Sequence, residues 1–196
     1  MNTLLGIGTG LVGIFIPIYL LQTGFSLKLV LAWLIVHHSS LLIGAFIAIF
    51  ISNIIGLVRV WYIKSLLITA LFVGLYFLPS YHSLFFILGI ISGLESALFW
   101  IPYNILTIRK TNSNNIGSSL ALLSNIGSIV GIGIPLIAAL IITQFGYNYL
   151  FLIALFFILI SIIPVIPPSH ERTNFEFKKK SIKEIISKNR HFILPE

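Results

Sequence analysis

Ser92-Gly93-Leu94-Glu95-Ser96-Ala97-Leu98-Phe99-Trp100-Ile101-Pro102-Tyr103-Asn104 carries the only acid of the first 170 residues, Glu95, inside a long apolar run. A charged side chain at the middle of a membrane helix costs roughly 2.5–3.5 kcal/mol on insertion scales, so it is turned toward a bundle interior or a watery cavity. The stretch therefore implies a polytopic membrane protein whose interior surface includes Glu95.

Composition agrees with that reading. Hydrophobic residues make up 58% of the chain and charged residues 9%, with a mean hydropathy of +1.07, whereas soluble domains carry about 25% charged residues. The absence of Cys removes disulfide and thiolate chemistry. The net charge of +7 sits almost wholly in loops and in the tail between apolar runs. That is the distribution of a membrane topology signal, so the expected partner is membrane lipid and not nucleic acid. The opening Met1-Asn2-Thr3 lacks the positive segment of a removable signal peptide.

Six runs are each long enough to cross a hydrocarbon core of roughly 30 Å, which takes about 20 helical residues. They span Leu4 to Thr23, Leu27 to Ile51, Val60 to Leu78, Leu84 to Ile108, Gly117 to Thr143 and Tyr149 to Ile166. The expected fold is all-α, a six-helix transmembrane bundle over residues 1–168. Short connectors such as Gly24-Phe25-Ser26 and Gln144-Phe145-Gly146-Tyr147-Asn148 suit tight returns at a membrane surface. Of the 12 Lys and Arg residues, all but Lys28 fall on one face, which puts both termini in the cytoplasm and the protein in the cell membrane. This assignment requires Lys64, inside the third run, to snorkel back to the inner interface.

Laying Phe15-Ile16-Pro17 over Trp100-Ile101-Pro102 also brings Pro79 onto Pro164 and maps runs one to three onto four to six. Because three is odd, the second triplet enters from the opposite face, giving two inverted three-helix repeats of the kind that frame a midplane transport site. Runs one, two, four and five carry the small and polar residues, whereas three and six are plain. The four textured runs are thus expected to form the inner layer. Beyond Pro167-Pro168, residues 169–196 are polar and basic, and Ser181-Ile182-Lys183-Glu184 reads as a capping box opening a short amphipathic helix. That helix suits either an anionic lipid surface or a solvated linker.

The pattern resembles the amino-terminal six-helix half of a major facilitator superfamily transporter, from Leu4 to Glu196. In the loop between helices two and three, Asn53-Ile54-Ile55-Gly56 keeps the second Gly of the family's Gly-x-x-x-Asp-x-x-Gly pattern and Arg59 supplies a basic residue. Asn53 stands where the family has Asp, and Ile49 where it has the first Gly. In helix five Gly127 and Gly131 match the family's paired glycines, while Ile132 occupies the place of the following Pro and Pro135 comes later. The resemblance implies alternating access between two six-helix halves. Since this chain has six runs, it is expected to be one half of a split or truncated transporter, completed by a second six-helix half or by self-association.

Glu95 at mid-depth is a candidate for loading and unloading a proton, or for a protonated carboxyl hydrogen-bonded to a neighbouring helix. His37 and His38 lie at a similar depth in run two, and because adjacent residues point about 100° apart only one of them should face a cavity. Phe99, Trp100, Tyr103, Asn104 and Asn125 complete the candidate cavity lining. Gly10, Pro17, Gly93, Pro102, Gly127, Gly131 and Pro135 are candidates for close helix packing or hinges. No metal-binding, nucleophile or phosphate-loop pattern is present, so neither an enzyme nor a cofactor is expected. A competing reading is the six-helix substrate-binding subunit of a vitamin-type ATP-driven importer. The substrate itself is not readable.

Overall fold

The computed structural model describes residues 2–110 and 132–162, with side chains from 7 to 107 and from 132 to 161. Among these residues the protein is all-α, with no strand. The helices are α1 Asn2–Gly13, α2 Ile16–Gln22, α3 Leu27–Ile55, α4 Leu57–Phe77, α5 Phe85–Lys110, α6 Ile132–Phe145 and α7 Tyr147–Ile162. A single 3-10 turn, His82–Leu84, leads into α5. Asn125, Gly127, Gly131 and the expected tail helix lie outside the described residues.

Among the described residues three helices, Leu27–Ile55, Leu57–Phe77 and His82–Thr107, are long and apolar enough to cross a membrane. At 1.5 Å per residue the 29 residues of α3 extend about 43 Å, more than a hydrocarbon core requires. The returns are abrupt because glycine makes them so. Gly56, at φ 92° and ψ 153°, is the sole residue between α3 and α4, and Gly146, at φ 82°, separates α6 from α7. An L side chain is disfavoured in both conformations.

The first apolar run is not one helix. Pro17 has no N–H to offer the carbonyl of Gly13 and its ring crowds that carbonyl, so α1 stops at Gly13 and α2 restarts at Ile16. Pro102, in contrast, is accommodated inside α5, where the helix continues to Lys110.

Helices α3 and α5 form the most extensive contact of the bundle and run parallel. A Cβ on Gly89 would touch Trp33 and Val36, and one on Gly44 would touch Leu94 and Ala97. A Cβ on Gly93 would collide with the His37 carbonyl, Ser40 and the Leu41 backbone. Gly89, Gly93 and Ala97 thus make a small-residue stripe at four-residue spacing on which α3 rests, the means by which helices approach closely when lipid offers them no hydrophobic drive. Elsewhere α7 packs against α1 and α4, and Tyr19 on α2 donates a buried 2.6 Å hydrogen bond to the Leu75 carbonyl on α4.

The third run, expected in the outer layer, has two different sides. α4 packs against α5, α7 and α3 and buries Lys64, Ser65, Ile68, Leu71, Phe72 and Leu75, while Leu66, Val73, Tyr76 and Phe77 are exposed. Textured α3 also leaves Ile35, Leu42, Phe46 and Phe50 more than half exposed. Texture marks where helices approach closely, but a plain helix can also bury one side, because its large apolar side chains fill the space between two neighbours.

Candidate functional site

The α1/α2 break, α3, α4 and α5 surround a cavity of about 300 Å³. Its described polar lining comes from Thr9, His37, His38, Ser92, Glu95 and Ser96, set among Trp33, Ile68, Leu71 and Phe72. Gly13 and Pro17, on either side of the helix break, also line it, so the break opens onto the cavity.

Each polar group has a local reason for its position. His37 and Ser92 lie where the glycine stripe brings α3 against α5, and His37 Nδ1 shares a 2.9 Å hydrogen bond with Ser92 Oγ. The His37 ring is also stacked on Trp33, one turn earlier, at 5.7 Å and 12°. His38 turns away: its Nδ1 donates to the Leu34 carbonyl at 3.0 Å, and the residue is exposed. Since a carbonyl only accepts, this bond fixes the proton on Nδ1. The expectation that only one of the two histidines faces a cavity needs correcting, because both line it.

Glu95 is buried, and its Oε1 accepts a 3.1 Å hydrogen bond from Ser96 Oγ. Its Oε2 lies 3.7 Å from Nζ of Lys64 on α4. Lys64 does not snorkel. Only 1% of it is exposed, its ammonium sits 5.2 Å over the Phe99 ring, and Nζ has no hydrogen-bond acceptor among the described residues. The physical reason is the acid on the neighbouring helix together with the aromatic face, which stabilise the buried cation where it stands. Lys64 therefore leaves the count of interfacial charges.

The aromatic residues following Glu95 lie behind this pair and do not line the cavity. Phe99 stacks on Tyr103 at 5.5 Å and 15°, Trp100 meets Phe99 edge-on and is 53% exposed, and Asn104 is exposed. Of the packing candidates, Gly93 makes the closest approach, Gly10 faces Ile134 of α6, and Pro135 lies half-buried within α6. Gly56 holds its return, with Asn53 and Arg59 on either side of it. No group of three or more metal-ligating side chains occurs among the described residues.

Sequence reasoning missed Lys64, Trp33, Ser92 and Ser96. The signal for Lys64 was present: one acid and one base, each alone inside an apolar run, are candidates for each other. Nothing in the sequence placed Trp33 on the cavity, since aromatic residues recur along every run.

A family model described as the Major Facilitator Superfamily matches residues 1–194. No curated protein and no solved structure matches the chain.

Proposed function

The chain belongs to the major facilitator superfamily, and on that premise we propose that it forms one six-helix half of a transporter, moving a small solute by alternating access. Membership makes it a membrane transporter protein and not an enzyme. The finer reading has six spans arranged as two inverted triplets, both termini in the cytoplasm of a cell-membrane protein, and a second six-helix unit or a second copy facing the first across the solute path.

The observation that carries the proposal is the cavity itself. It is lined by Glu95 and two histidines and bordered by a helix broken at Pro17. A carboxyl in that position is suited to exchanging a proton with a solute path, and a proline break is a place where a helix can bend as access alternates.

The test is reconstitution into proteoliposomes, alone and with a co-expressed six-helix partner, followed by solute uptake under an imposed pH gradient. Uptake that depends on pH and loses that dependence in Glu95→Gln is the expected result. Uptake whose pH dependence is unchanged by Glu95→Gln removes Glu95 from proton coupling, and absence of uptake in every assembly overturns the transport reading.

A further inference from the structure

Among the described residues Glu95 is the one acid lining the cavity, and its described partners do not saturate it. Oε1 accepts one hydrogen bond, from Ser96, and Oε2 faces Lys64 Nζ at 3.7 Å, beyond hydrogen-bond reach. An ionised carboxylate offers about four acceptor sites, more than these described partners occupy. Lys64 approaches from the Phe99 side, and neither of these residues lines the cavity. The described lining thus presents a carboxylate with two imidazoles and no Lys or Arg. Its two imidazoles already engage Ser92 and the Leu34 carbonyl, and its remaining wall is largely apolar and aromatic, including Trp33, Ile68 and Phe72.

We infer that this cavity binds a small organic ammonium ion with an apolar body, its N–H groups donating to Glu95 and its body resting in the apolar wall near Trp33 and Phe72. An anionic ligand meets a like charge there, and a neutral one forgoes the charge-assisted hydrogen bonds that an ammonium makes to the carboxylate. The ligand and Lys64 share one carboxylate, so each weakens the other's hold on it. The inference rests on the proposed function only in taking this cavity as the solute site.

The experiment uses the full chain in lipid nanodiscs near neutral pH and measures binding of three probes of similar shape by calorimetry: 2-phenylethylamine, 2-phenylethanol and phenylacetate. Uptake into empty nanodiscs is subtracted. The amine is expected to bind roughly tenfold more tightly than the alcohol, with phenylacetate weakest, because charge-assisted hydrogen bonds are about twice as strong as neutral ones. Glu95→Gln should bring the amine down to the level of the alcohol, and Lys64→Gln should tighten the amine severalfold by removing its competitor. Equal binding of amine and alcohol, or an amine preference that survives Glu95→Gln, overturns the inference. The comparison of probes on the unaltered protein decides the matter even if a variant fails to fold. Amine-selective binding without uptake in proteoliposomes refutes transport alone, whereas uptake of a neutral or anionic solute without amine preference refutes this inference alone.

Discussion

Lys64 Nζ lies 3.7 Å from Glu95 Oε2, a buried pairing that joins α4 to α5 across the core of the bundle. Its two ends are unequal. The carboxylate has a hydrogen bond from Ser96 and borders the cavity, whereas among the described residues the ammonium has only the carboxylate's field and the Phe99 ring.

Breaking this pair from one side leaves the other charge buried without compensation. Lys64→Met and Glu95→Gln should each destabilise the bundle by about 3 kcal/mol, and the double variant should recover most of the loss. Unfolding of the detergent-solubilised protein checks this through the double-mutant cycle. Additive losses would mean that the two groups do not depend on each other.

Gly93 is the tightest point of the α3–α5 contact, and Gly13 is the contrasting case, since a Cβ there meets nothing within 4 Å. Gly93→Ala should push α3 off α5 and cost about 1–3 kcal/mol. Gly13→Ala should be neutral or slightly stabilising. Thermal stability of the two variants, measured side by side, tests the packing; equal effects would contradict it.

At Gly56 the constraint is backbone conformation, φ 92° and ψ 153°, a region that is essentially glycine-only. Gly56→Ala should lower stability by about 1–3 kcal/mol by straining the return between α3 and α4. A fully stable Gly56→Ala protein would show that the return can be made another way.

Tyr19 and Leu75 tie the short helix α2 to α4 through one buried hydrogen bond. Tyr19→Phe keeps the ring contacts with Tyr147 and Phe151 and removes only the hydroxyl. The expected loss is about 1 kcal/mol, the ordinary worth of such a bond. It is read as a lower unfolding midpoint, and an unchanged midpoint would leave the bond without weight.

Trp33 belongs to the cavity and Trp100 to the aromatic cluster after Glu95. Trp33 lines the cavity and is 3% exposed, whereas Trp100 packs on Phe99, is 53% exposed and is not in the lining. Trp33→Leu should weaken solute binding severalfold and Trp100→Leu should leave it unchanged. Measuring binding on both variants decides between the two linings, because an aromatic cavity built from the residues after Glu95 predicts the reverse.

Much of this protein was written in local sequence. The apolar runs dictated helices and lipid as their solvent, because in a membrane core only a backbone that satisfies its own hydrogen bonds is tolerated. The solitary acid in its run marked Glu95 as interior, and Pro17 placed a break where α1 and α2 are divided. What only tertiary structure decided was which face meets which. Lys64 turned inward because an acid stood opposite, Trp100 turned outward while Trp33 turned in, and plain α4 buried the side that carries Lys64. Lipid tails and a protein core are equally apolar, so hydropathy along a helix cannot tell its packed side from its lipid side. That choice falls to shape and to the few polar atoms that must find one another.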